Sequence, residues 1–531
     1  MKYFYLTIFL FLLCTHHTNA QLWEHYYGIP GYYETCHLFA ETYDGGLICG
    51  GASGLYDEVH HTRLYKLDRN GDTLWTKLLN SDFASYTISI NATLDGGIIG
   101  AGAIYPEDIE GQSKPMAFKL NECGELLWCT WFETDRVLSW AQSILPIDDG
   151  SYLLTLNSYG NYDIENTFLV KLDDDGIILW KKPVIDHSVY PEAFNPYSER
   201  MIKTKNGNYL ISGKVFWKDH LTGISWLRAF YALFDSQGNE KWTTPIGVKD
   251  SILGRGYGCF ENENGHFICA ARHYNGSKQH GLIIELDENG TIVNQRSISP
   301  EEIAGDCYSL FFRDIIPIGD TLVLSMPFLL SSTSIVPSVI SLEKDVFNDS
   351  LPIKSLRTFP DHLGVLSLFK LDNNKAVVEM HYRVSSYSTQ MFIAKINSML
   401  TSDSIGIDNT IYDSLCPKPI SYSEPFLGSC NIITNIGELT DPNKLVNNNN
   451  LLFSLFPNPG RDIIYLKVKS LDINSKIDVE VVSVYGQPVL QVSGASKNQI
   501  SLSISGLPKG AYMVHVYLDG IFQGTKQLIK L

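Results

Sequence analysis

The chain is short of the features that mark helical, nucleic-acid-binding and metal-binding proteins. Blocks rich in Ala, Glu, Lys and Leu are scarce, which argues against long helices. Basic residues are outnumbered, 41 Lys and Arg against 58 Asp and Glu in 531 residues, giving a net charge of −17. Nucleic-acid binding needs a cationic surface to neutralise phosphates, and this balance argues against it. No CxxC pair occurs among the ten cysteines, so neither a zinc ribbon nor a thioredoxin-like site has support. G-x-S-x-G, H-E-x-x-H, P-loop and G-x-G-x-x-G motifs are all missing, and no specific chemistry can be assigned from them. After residue 14 no apolar run approaches the ~18 residues that a membrane helix requires.

Lys2, the apolar stretch 3–14 and the small-residue site Thr18-Asn19-Ala20 before Gln21 together read as an export signal over residues 1–20. A lipoprotein signal is disfavoured, because bulky Leu13 precedes Cys14. Nine cysteines then remain: Cys36, Cys49, Cys123, Cys129, Cys259, Cys269, Cys307, Cys416 and Cys430. Export permits disulfides, and Cys416–Cys430 flanks a loop-like segment that a bridge could staple. The odd count leaves at least one free thiol, with the others expected as small core residues.

Short apolar runs punctuated by Gly, Asn and Asp indicate an all-β chain. One template recurs: "YKLDRNGDTLW" (65–75), "FKLNECGELLW" (118–128), "VKLDDDGIILW" (170–180), "ALFDSQGNEKW" (232–242) and "IELDENGTIVN" (284–294). Gly71, Gly124, Gly176, Gly238 and Gly290 each stand four residues before the Trp position, which Asn294 occupies in the fifth copy. Between the copies lies a second motif, as in "YDGGLICGG" (43–51) and "LDGGIIGAG" (94–102), with weak copies at 318–326 and 372–380. Seven units span roughly residues 22–405. Each reads as strand, Asp/Asn-Gly turn, strand, longer loop, strand, Asp-x-x-Gly turn, strand.

Four short strands repeated at this period predict a β-propeller of about seven blades; an open β-solenoid, the rival, normally has shorter repeats. Trp23 heads a strand with no preceding unit, and is expected to complete the last blade and clasp the ring. The units resemble the "W … DGGyi..G … vKlD.nG … W" repeats of secreted bacterial β-propellers over about 70% of the chain. A looser similarity links them to the tryptophan-docking repeats of quinoprotein dehydrogenases. Nothing here singles out a quinone pocket, and no cofactor is expected.

Residues 406–450, ending in "NNNN" at 447–450, read as a linker. Alternating strands with Gly/Pro turns over 451–531 then predict a small Ig-like β-sandwich. This region carries eight basic and five acidic residues, leaving −20 on the rest of the chain. Phe456-Pro457-Asn458-Pro459, the turn around Gly486, Leu507-Pro508-Lys509-Gly510-Ala511-Tyr512 and the terminal strand with Lys526 and Lys530 resemble the type A sorting domain of the type IX secretion system of Bacteroidetes-type bacteria. Phe replaces the family's Tyr at 456. The resemblance implies Sec export, recognition by the outer-membrane translocon as partner, removal of the domain, and release or surface attachment of the cargo.

Asp173, Asp174 and Asp175 lack the alternation and distant Glu of an EF-type calcium loop. Related positions hold Arg69-Asn70, Glu122-Cys123, Ser236-Gln237 and Glu288-Asn289, so a polar turn is expected and no metal site. His60-His61, His266, His273, His280 and the pair Asp186-His187 read as loop residues, and no catalytic residue is assigned. The aromatic stretches 24–34 and 216–231 read as packing between blades rather than as a ligand platform. The function expected is a secreted or surface-attached binding module for a glycan or protein; the alternative is an extracellular hydrolase of glycans or peptides with its site in the propeller funnel. Convergent carboxylates or a His/carboxylate pair in the funnel would favour the enzyme, apolar and amide side chains the binding module.

Overall fold

The computed structural model describes residues 21–55, 60–79, 83–106, 112–132, 138–159, 165–218, 223–247, 254–275, 278–303, 309–329, 335–347, 353–360, 362–371, 373–385, 388–416, 423–424, 430–433, 453–456, 461–468, 476–483, 488–495, 499–518 and 521–530. The expected export signal and the sorting-motif residues Pro457, Asn458, Pro459 and Gly486 lie outside these. The described chain is almost entirely β-strand and falls into two compact units, residues 1–439 and 440–531.

In the first unit the strands from 24 to 396 group into seven consecutive, mainly antiparallel strand sets, called sheets 1 to 7 along the chain, of which the first and the seventh are hydrogen-bonded into one ten-stranded sheet. The arrangement is all-β and propeller-like. The inner strands are Leu38–Glu41, Ala84–Ala92, Leu138–Pro146, Ala193–Lys203, Gly254–Glu261, Asp314–Ile318 and His362–Leu371. Each touches the inner strand of the next sheet, and the seventh touches the first. The ring closes through hydrogen bonds as well. Glu24–Tyr27 pairs with Ser388–Ile396 of sheet 7, in the register Glu24 opposite Ala394. Tyr32–Glu34 bridges sheets 7 and 1, pairing Tyr33 with Thr389 on one side and Gly54 on the other.

The template residues turn out to be joints between neighbouring sheets. In the third unit Asp173 Oδ1 accepts the backbone N–H groups of Asp175 and Ile177, folding the turn on itself. Gly176 adopts φ 78°, and a Cβ there would lie 2.7 Å from the Trp128 ring of the preceding sheet. Glycine is therefore required twice, by its backbone and by its neighbour. Trp128 Nε1 donates to Asp174 O at 2.7 Å. The same indole-on-glycine contact recurs as Trp75 on Gly124, Trp180 on Gly238 and Trp242 on Gly290, and Trp23 closes the series on Gly71 of sheet 1.

The junction of sheets 5 and 6 departs from this pattern. Asn294 replaces the Trp, and buried Val346 stands where the glycine would be. A second joint lies within the units, where the template Lys reaches the Asp of the Asp-Gly turn: Lys66–Asp44, Lys119–Asp95 and Lys171–Asp149, each at 2.7 Å. Lys119 also pairs with Asp174 of the next unit at 2.6 Å. The aspartates at 173–175 are thus a turn, as expected, with one member serving as an inter-sheet ion pair that the sequence reading missed.

The bridge considered between Cys416 and Cys430 is not the one formed. Cys416 pairs with Cys123 and Cys430 with Cys129, both on sheet 2. The described residues of their segment, read as linker, lie along the outer edges of sheets 1 and 2. Ser423–Glu424 adds beside Thr73–Leu79, and Asn431–Ile433 adds in parallel beside Leu126–Phe132, which carries Cys430 to Cys129. Asp413 N–H donates to Asp44 Oδ2 at 2.9 Å, and the Asp413 carboxylate takes the same buried Lys66 ammonium. Cys36, Cys49, Cys259 and Cys269 are free.

The second unit is a sandwich of two antiparallel sheets. Ile464, Leu466 and Leu502 face Val479, Val481, Val514 and Val516 across a core from which water is excluded. Buried Tyr512 donates its hydroxyl to Pro508 O at 2.8 Å, pinning the corner before its strand.

Candidate functional site

The inner strands explain where a site forms. Five of them carry a register shift in the same region: at Thr87/Ser89, Ala141/Ser143, Ser198/Arg200, Gly256/Cys259 and Leu363/Ser367. A bulge leaves an extra residue unpaired and re-aims its side chain. The extra residues include Ile88, Gln142, Glu199 and Tyr257, and all four line one cavity of about 170 Å³. Leu38 of sheet 1, Arg200 of sheet 4, Arg313 of sheet 6 and Ser367 of sheet 7 complete its wall, so every sheet contributes. The cavity therefore lies where the seven inner strands converge. Cys36 and His37, ahead of the first inner strand, and Glu379 and His381, from the second strand of sheet 7, also line it.

Most of its charges are matched. Arg255 Nη1 meets Glu199 Oε1 at 2.7 Å, and Arg200 Nη2 meets Asp314 Oδ2 at 2.6 Å. The Asp314 oxygen also accepts Leu368 N–H at 3.2 Å. Glu379 is 1% exposed, with Oε1 3.4 Å from His381 Nε2. Burial pushes the Glu379 carboxyl well above its ordinary value and the His381 imidazole below its own. Burial, helped by the charges of His381, Arg313 and Arg200, pushes His37 down to about 3. Burial thus disfavours the charged form of the acid and of both imidazoles that line the pocket.

A stability prediction follows from Glu379. Its folded pKa lies above 4.5, so the unfolded state gives up the proton first as pH rises. The unfolded state then binds fewer protons, and stability falls as pH climbs past that value. Glu379→Gln is expected to unfold at a higher temperature than the native chain at pH 8, with the gap vanishing near pH 4. Thermal scans across pH, followed by circular dichroism, test this; equal midpoints at pH 8 would refute it.

The other residues singled out in sequence do not reach the cavity. His266 pairs with Glu285 at 2.8 Å, His273 with Ser297 at 2.6 Å, and His187 Nδ1 lies 2.8 Å from Ala193 O. His60 stacks on Tyr33, and Asp186 caps Ser188 within its own turn. Phe216 stacks on Phe194, Trp217 packs edge-on to Tyr190, and Tyr26 packs on Phe392. These ring contacts lie within single sheets rather than between blades. Among the described residues no group of three His, Cys, Asp or Glu could hold a metal ion. In the second unit Gly510 opens its strand, Lys530 stands opposite it, and Lys526 stands opposite Val514.

Fold and cavity together define an all-β, propeller-like body with one convergent pocket. Its address comes from the second unit: residues 454–530 match the secretion system C-terminal sorting domain. The protein is accordingly exported by the type IX system and is secreted or held at the cell surface. No curated protein matches the chain. Among solved structures, it is similar to an ulvan lyase of polysaccharide lyase family PL25 (9% identity, TM-score 0.44, 70% of this chain and 92% of that chain). It is also similar to a puromycin hydrolase mutant (11%, 0.41, 84% and 61%). A third likeness is to a NanB sialidase mutant from Streptococcus pneumoniae (11%, 0.39, 71% and 70%). At TM-scores below 0.5 these likenesses carry no activity over to this chain.

Proposed function

We propose that residues 21–405 form a seven-bladed β-propeller which acts outside the cell as a binding module, its ligand seated in the axial cavity. The observation that supports this is the convergence of all seven sheets on one pocket whose carboxylates are already neutralised. Size narrows the ligand. Drug-sized sites run to roughly 300–1,000 Å³, while a cavity of about 150 Å³ holds a single benzene ring. At about 170 Å³ this pocket takes one ring-sized group, such as the end of a glycan, and not the middle of a polymer.

Hydrolysis is the second reading, and the neighbouring Glu379 and His381 favour it. Glycoside hydrolysis commonly needs a proton donor together with a free carboxylate. Glu379 supplies the first, but Glu199 and Asp314 are held by Arg255 and Arg200. Binding is therefore preferred.

The test is a glycan and small-molecule array probed with the mature protein and with Gln142→Trp, which fills the cavity. Ligand retained by the native protein and lost by the filled one is expected, without turnover; release of product would establish the hydrolase instead. For the address, deletion of residues 451–531 is expected to leave the protein inside the cell envelope. Undiminished appearance in the medium, measured by immunoblot, would sink that reading.

A further inference from the structure

We propose that the ligand of the axial cavity carries one anionic group, a carboxylate or similar oxyanion, docked on Arg313. This deepens the binding reading above and rests on it.

Two arginines at the cavity are spent, Arg200 on Asp314 and Arg255 on Glu199. Burial pushes the Glu379 carboxyl and the Cys36 thiol up and the His37 and His381 imidazoles down, in each case disfavouring the charged form. Arg313 is the remaining arginine among the lining residues. Arg313 lines the cavity, and among the described residues no side chain accepts from its guanidinium.

Its backbone is held at both ends, N–H to Ser325 O and O to Gly258 N–H, each at 3.0 Å. That fixes where the side chain starts. Arg313 lines the cavity together with His37, Tyr257 and Glu379, residues from three other sheets. The cavity thus carries one guanidinium whose charge no carboxylate within ion-pair distance offsets among the described residues. A planar guanidinium fork matches a carboxylate through two parallel N–H···O bonds. A monoanion matches this one guanidinium, whereas a dianion would bring a second charge for which the lining offers no free cation.

Cavity volume sets the scale at one six-membered ring with its carboxylate, and the probes follow: glucuronate and benzoate as monoanions, glucose as the neutral match, glucose 6-phosphate as the dianion. Calorimetry on the mature protein is expected to show the monoanions binding at least tenfold more tightly than glucose or glucose 6-phosphate. Arg313→Gln should erase that preference and Arg313→Lys should keep part of it, with thermal midpoints confirming that both fold. Gln142→Trp should abolish binding of every probe. Glucose bound as tightly as glucuronate, insensitive to Arg313→Gln but lost on Gln142→Trp, would overturn the acidic ligand while leaving the cavity as the site. Acid binding that survives Gln142→Trp would overturn the cavity itself, and failure of the native protein to bind either monoanion would overturn the proposal.

Discussion

Trp75→Ala should lower the stability of the propeller-like unit by about 3–5 kcal/mol, the usual cost of emptying a fully buried aromatic site. The indole is 0% exposed and packs with Ile48, Leu64 and Phe118, side chains of sheets 1 and 2. Its Nε1 has no hydrogen-bond partner, so the loss is one of packing and of the Lys77 ammonium that sits 5.2 Å over the ring. The site cannot collapse easily, because it is walled by two hydrogen-bonded sheets and capped by Gly124, where a Cβ would stand 2.8 Å from the ring. Gly124→Val attacks the same joint from the other side and adds strain at φ 69°. Both changes damage one contact, so their combined cost should fall short of the sum. Denaturant unfolding of the four proteins measures this coupling. Costs below about 1 kcal/mol for Trp75→Ala would show that the indole joint does not hold the ring.

The second large effect concerns the two bridges to sheet 2. Each closes a loop of about 300 residues, Cys123–Cys416 with a separation of 293 and Cys129–Cys430 with 301. Loop-closure entropy gives roughly 5–6 kcal/mol for one link of that length, an upper figure that native strain and denatured-state structure reduce. The second link is different in kind. With one bridge in place, the other closes only the short spans 123–129 and 416–430. Either bridge alone should therefore retain most of the benefit. Replacing Cys123 and Cys416 by Ser, or Cys129 and Cys430 by Ser, is expected to cost about 2–3 kcal/mol, and replacing all four considerably more than either. Thermal unfolding with and without reductant checks it. A four-fold variant no less stable than the pairwise ones would mean that the strap contributes nothing as a tether.

The repeat was legible because the same joint is made again and again. Gly176 and Trp128 must touch, as must Gly124 and Trp75, and a requirement repeated at every junction leaves a periodic mark on the chain. The axial pocket leaves no such mark. Its residues hold equivalent places on the inner strands, yet they are Ile88, Gln142, Glu199 and Tyr257, with no common chemistry to betray a common position. His37 and His381 were passed over for the same reason, since they are 344 positions apart and meet only because the ring brings sheets 1 and 7 together. The cysteine partners were hidden likewise: Cys416 lies near Cys430 in sequence, but the strap carries each to a different point on sheet 2.

The clasp of Trp23 and Glu24–Tyr27 onto sheet 7 has a consequence in time. The strand that finishes the last sheet belongs to the start of the chain, and its partner, Ser388–Ile396, arrives more than 360 residues later. Until then Glu24–Tyr27 has no mate, sheet 7 lacks its outer edge, and Gly71 has no indole above it. Contacts of such long sequence separation are slow to form. Closure must be a late event in assembly, and the chain can be carried a long way as a row of half-joined sheets before it becomes a ring.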